Sequence, residues 1–266
     1  MVLFILFPGF GDTKYDWNFD NDGQKTKFIS RLSKIGKVYT YTPKMYNILY
    51  YAFDHPEINK IKERYDKDIK FKIDYLNIEK HCQMIYQQIK NNDDIIVIGH
   101  SIGAYFAYKF AELYSKRCIC TIIINGTPIT RNAVDEYMIS KYDDTLEDLD
   151  QDKLSEYLDN ISKKYNSKNN SLHYDILTVY KLYARYMLNQ YKSISKNMKV
   201  QTYLLTSLKI DNDPDNVKIN QYKIQNNFEL EKINKTNVRS IYFINKKHHL
   251  DKEIIDSIID VINKSI

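Results

Sequence analysis

Cysteine is rare in this chain of 266 residues: Cys82, Cys118 and Cys120 are the whole supply. An odd count of three builds no disulfide framework and fits core thiols in a reducing compartment. Cys118-Ile119-Cys120 has strand spacing, which puts both thiols on one face of a sheet. Too few further ligands stand near them for a metal site, and no organic cofactor is implied. Long apolar runs are also missing. Nothing approaches the ~20 residues that a membrane span needs. The apolar start, residues 2–7, is short, lacks a basic flank and meets Pro8-Gly9, so it reads as a buried first strand and not as a secretory leader. Arginine occurs only at 31, 64, 117, 131, 185 and 239, and the net charge of +5 is spread along the chain. The densest basic patch, Lys246-Lys247-His248-His249, is too short for a nucleic-acid arm. What remains is a cytoplasmic globular protein with no nucleic-acid partner.

The chain is 43% hydrophobic, enough for one sizeable core. Lysine, asparagine, isoleucine and tyrosine dominate, as an AT-rich coding genome would give, so the 24 tyrosines are not read as a binding surface. Apolar runs at 2–7, 37–41, 95–98, 119–124, 200–206 and 238–244 read as strands. Helical spacing lies between them: Phe28, Ile29, Leu32 and Ile35 with Gly36 as a stop, then Leu76 to Ile89, then Tyr105 to Leu113. Ile254, Ile255, Ile258, Ile259 and Ile262 form a closing amphipathic helix. Residues 45–73 are long and irregular. Alternating strands and helices imply an α/β fold with a doubly wound, mostly parallel sheet. Residues 129–198 break the alternation with helical stretches alone. The domain reading is therefore a core of residues 1–128 and 199–266 with an insertion of residues 129–198.

Residues 94–104 carry the most chemistry. The run Ile95-Ile96-Val97-Ile98 enters Gly99-His100-Ser101-Ile102-Gly103, and an amphipathic helix leaves it. A serine hydroxyl becomes a useful nucleophile only when it is exposed and within reach of a base. A sharp strand-to-helix turn exposes Ser101, and Gly99 and Gly103 remove the side chains that such a turn would force together. The N–H of Ile102 then stands at a helix start, where developing negative charge is stabilised.

Gly-His-Ser-Ile-Gly-Ala resembles the nucleophile elbow of the α/β-hydrolase family. The resemblance implies a Ser, acid, His order along the chain. It places the base after the last strand, where His248 and His249 stand; His249 is favoured because Leu250 follows it. It places the acid after the strand at 200–206, where Asp211, Asp213 and Asp215 follow, and a short turn favours Asp211. Ser207 stands where the family has a turn glycine. The oxyanion hole would use the backbone N–H groups of Ile102 and Phe10, the latter after Pro8-Gly9 in place of the family's His-Gly. Relative to the family pattern, the chain begins at the strand carrying this oxyanion loop. An insertion at 129–198 is, by the same resemblance, a mainly helical cap over the site. The implied activity is acyl transfer to water from a small-molecule carboxylic ester or thioester, as in a carboxylesterase, thioesterase or lipase-like enzyme. The alternative is a non-catalytic binding protein on the same fold.

Overall fold

A computed structural model describes residues 2–9, 16–18, 25–41, 77–89, 93–126, 156, 197–246 and 250–266. Strand β1 spans Val2–Phe7, helix α1 Phe28–Leu32, β2 Lys37–Thr40 and α2 Ile78–Gln88. Then come β3 (Asp94–His100), α3 (Gly103–Leu113), β4 (Cys118–Ile124) and β5 (Gln201–Leu208). Helix α4 (Pro214–Ile233), β6 (Val238–Ile244) and α5 (Lys252–Ser265) complete the order. The six strands lie in the order β2-β1-β3-β4-β5-β6, and each neighbouring pair is parallel.

Parallel strands need covered faces, and β1, β3 and β4 are accordingly apolar almost throughout. Leu3, Ile5, Phe7, Ile95 and Val97 face a layer made by α2 and α3. Val2, Phe4, Leu6, Ile96 and Ile98 face α1 and α5. Helices on both faces make the sheet doubly wound, as the alternation of elements implies. The closing helix shows how sequence sets the packing. Asp251 caps it by accepting the Ile254 N–H at 2.9 Å. Ile254, Ile255, Ile258, Val261 and Ile262 then fall on one stripe and are buried. Each such side chain contributes roughly 1.5–3 kcal/mol.

Several expectations are corrected. The two thiols of Cys118 and Cys120 do not share a face. Ile95 pairs with Cys118 but Ile96 pairs with Cys120, so β4 carries one extra residue there. That bulge turns Cys118 toward the α2–α3 layer and Cys120 toward the α1–α5 layer. Strand β5 runs two residues past the expected end at 206, to Leu208, because Ser207 and Leu208 still pair with Phe243 and Ile244. The first helix starts at Phe28, after Lys27 in a left-handed conformation, and ends at Leu32, short of Ile35. Helix α4 has no counterpart in the sequence reading. It buries Asn226, Asn227 and Leu230 and exposes Val217, Ile224 and Phe228, so it carries no apolar stripe to find. The insertion at 129–198, apart from Glu156, Asn197 and Met198, lies outside the described residues, as does 45–73. Among the described residues no helix is long and apolar enough to cross a membrane.

All three thiols are buried and unpaired. Burial pushes Cys118 and Cys120 up to about 12 and Cys82 well above the ordinary thiol value. An aromatic disulfide reagent at pH 8 should leave the native chain unlabelled and titrate the three thiols in denaturant. The same shifts make folding stability fall as pH rises from about 9, where the unfolded chain ionises, toward about 12. Rapid labelling of the native protein would contradict this placement.

Candidate active site at the strand ends

The sheet order reverses between β1 and β3: β1 leads outward to β2, β3 the other way to β4. In such sheets ligands bind outside the carboxyl ends of the strands at this switch point. Ser101 stands there, directly after β3. Its φ of 52° is left-handed, a conformation costing on the order of 1–3 kcal/mol for a residue with a side chain. Its N–H donates to the Ile124 carbonyl at 2.8 Å, and its carbonyl accepts the Ala104 N–H at 3.0 Å. The side chain is partly exposed. Ile102 follows in helical conformation as the cap of α3, and its N–H finds no acceptor among the described residues.

The turn closes only because side chains are absent around it. A Cβ on Gly99 would lie 2.6 Å from the Gly103 carbonyl oxygen and 2.8 Å from the Ala104 Cα. One on Gly103 would lie 2.5 Å from the Pro8 carbonyl oxygen and closer still to that of Phe7. Gly126 was missed as part of the turn: a Cβ there would lie 2.7 Å from the Ser101 carbonyl oxygen. Its only signal is the Asn125-Gly126 pair after a buried strand.

Among the described residues, the two histidines, His81 and His100, are accounted for by packing. His100 is buried, with its ring edge-on to Trp17 at 6.3 Å. His81 is buried in α2, bonded through Nδ1 to the Tyr41 hydroxyl and packed on Phe106. His248, His249 and Phe10 lie outside the described residues. Beside the histidine pair, Lys246 is engaged by Asp251 at 3.3 Å and Glu253 at 3.0 Å, so the basic patch is partly neutralised.

The end of β5 and the loop that follows it are held by several side chains. The Ser207 N–H donates to Asn125 Oδ1 at 2.6 Å, and the Ser207 carbonyl accepts from the half-buried Lys223 ammonium at 3.0 Å. Desolvation pushes the Lys223 amine below its ordinary value. Asn220 brackets Lys209, accepting its N–H at 3.3 Å and donating to its carbonyl at 2.7 Å. The Ile210 N–H donates to Asn245 Oδ1 at 2.9 Å. The Asp211 carboxylate accepts from Lys209 at 2.8 Å, from Asn216 at 2.9 and 3.0 Å and from the Asp213 N–H at 3.1 Å. Lys209 first and Asn216 second hold its carboxyl below the usual value. Asp213 serves α4: its carbonyl accepts the Val217 N–H at 3.0 Å, with Pro214 opening the helix. None of these asparagines was found by sequence reasoning, which took asparagine as a composition bias.

Comparison with known proteins decides the family. A model of the PGAP1-like alpha/beta domain matches residues 40–212. The chain belongs to the PGAP1-like alpha/beta domain family. The matched stretch of this PGAP1-like chain contains Ser101 and Asp211 and ends before β6. No curated protein sequence matches. The monoacylglycerol lipase of Paleococcus ferrophilus is 13% identical with a TM-score of 0.52, covering 99% of this chain and 95% of its own. Tomato methylketone synthase I, solved with 2-tridecanone, is 12% identical with a TM-score of 0.54, covering 99% and 98%. A carboxylesterase from Nitrososphaera gargenis is 12% identical with a TM-score of 0.52, covering 98% and 88%. At such identities the likeness establishes the fold, and that fold is the α/β-hydrolase fold.

Gly103 sits in the first turn of α3, and an interior helix glycine normally gains about 1 kcal/mol on replacement by alanine. Here the added methyl meets the rigid carbonyls of Phe7 and Pro8. Gly103→Ala should therefore destabilise, by roughly 1–3 kcal/mol in urea unfolding. A midpoint equal to or above that of the parent would contradict the close approach.

Proposed function

We propose that the protein is a serine hydrolase that cleaves a small-molecule carboxylic ester or thioester. One observation carries the reading: a partly exposed serine in a left-handed turn at the sheet's switch point, with a helix start behind it. In this account Ser101 Oγ attacks the acyl carbonyl while His249 takes its proton. The tetrahedral oxyanion is held by the N–H groups of Ile102 and Phe10. The leaving alcohol or thiol receives the proton from His249, and water then releases the acid by the same steps in reverse. Asp211 orients the imidazole. Its carboxylate, held below the ordinary value first by Lys209 and then by Asn216, is ionised wherever histidine titrates. Asp213 is less suited, since it belongs to the start of α4. Residues 129–198 cover the site as a helical cap and select the acyl chain. The chemistry requires neither metal nor organic cofactor, and the protein works in the cytoplasm.

A fluorophosphonate probe should label the chain at Ser101, and Ser101→Ala should abolish labelling. Undiminished labelling of the alanine variant would remove the assignment.

Hydrolysis should decline as pH falls below about 6.5, because the base must be neutral. Since Asp211 is already ionised there, this limb reports the histidine alone. His249→Ala should cost on the order of 10³-fold or more in kcat, and His248→Ala far less. A reversed order would make His248 the base.

A further inference from the structure

We infer that Asn245 and Asn125 are positioning residues: their side-chain oxygens hold the end of β5 and the loop that follows it, and so fix where the Asp211 carboxylate stands relative to Ser101. This rests on the hydrolase reading above. Each asparagine stands one residue past a strand end, Asn125 after β4 and Asn245 after β6. Both are left-handed, with φ of 51° and 57°. Asparagine tolerates that conformation better than other residues with side chains.

The conformation gives each of them two functions at once. The backbone N–H extends the sheet ladder onto β5: Asn125 donates to Leu205 at 2.8 Å and Asn245 to Leu208 at 2.7 Å. The side-chain oxygen then reaches the next-to-last residue of β5, Ser207 (2.6 Å), from Asn125 and the loop residue Ile210 (2.9 Å) from Asn245. Ile210 is the residue before Asp211, so the Asn245 bond fixes the peptide that carries the acid. On the other side the connection continues to the serine. The Ser101 N–H bonds the Ile124 carbonyl, and Ile124 precedes Asn125. Three strand-end residues, Ser101, Asn125 and Asn245, thus share one left-handed geometry and one pattern of cross-strand bonding.

Without these acceptors the β5–β6 ladder would still hold Ser207 and Leu208, but the end of β5 and the loop at Ile210 would lose their side-chain anchors. A misplacement of about 1 Å costs on the order of a hundredfold in rate. A purely structural role would lower stability and leave the turnover of folded protein alone.

The test uses the full chain with Asn245→Gly, Asn245→Asp and Asn125→Gly. Glycine keeps the left-handed backbone and removes the acceptor, whereas aspartate keeps both. Amide hydrogen exchange should find Ile210 protected in the parent and in Asn245→Asp but fast in Asn245→Gly, with Ser207 responding likewise to Asn125→Gly. On a short nitrophenyl ester, kcat should fall about tenfold to a hundredfold in the glycine variants with KM nearly unchanged, and Asn245→Asp should restore most of it. An unprotected Ile210 N–H in the parent, parental kcat in Asn245→Gly, or an aspartate variant as slow as the glycine one would each overturn the inference. If Ser101→Ala still hydrolyses the ester, the hydrolase reading is what fails, and exchange at Ile210 and Ser207 still decides whether the grip exists.

Discussion

The contact on which the site depends is between helix α3 and the end of β1, with no side chain between them. Gly103 lies against the carbonyls of Phe7 and Pro8, and Gly99 lies under the first turn of the same helix. That approach forces β3 to turn sharply into α3, and the turn leaves Ser101 left-handed. The strain is local and is offset by packing on either side: Phe7 stacks on Phe106 at 5.7 Å, and Ile96 and Ile98 are fully buried beneath. A sheet buried on both faces therefore holds Ser101 at its upper edge, partly exposed.

Much of this was legible because it is written in local patterns. Unbroken β-branched runs gave the central strands, and an Ile stripe gave α5. Ser101 was legible because both glycines that its turn requires fall within two residues of it. What escaped depends on pairing partners far away in the chain. The bulge in β4 is set by register against β3, so Cys118 and Cys120 separate although their spacing says otherwise. The end of β5 is set by β6, so the acid loop begins two residues late. Helix α4 escaped because it buries Asn226 and Asn227 beside Leu230 and leaves Val217, Ile224 and Phe228 exposed, so no apolar stripe marks it.

The chain leaving β5 accounts for part of the polarity of α4. Asn216, Asn220 and Lys223 on α4 supply bonds to Asp211, Lys209 and Ser207, so the helix is selected for polar reach as much as for burial. Backbone groups that leave a sheet must find partners, and here side chains of α4, Asn125 and Asn245 provide them. Asn227 continues the pattern deeper, donating to Thr206 at 2.9 Å. An asparagine-rich composition thus carries structural information at these positions, although composition alone does not reveal which asparagines matter.

If the protein is the proposed serine hydrolase, Ser101 forms a bond to an acyl carbon. A slowly released carbamate ester should leave a carbamoyl group on the peptide containing Ser101, seen by peptide mass after acid quench, in step with loss of ester hydrolysis. Continued ester turnover by a chain whose Ser101 peptide stays unmodified, or a carbamoyl group found on another residue, would contradict it.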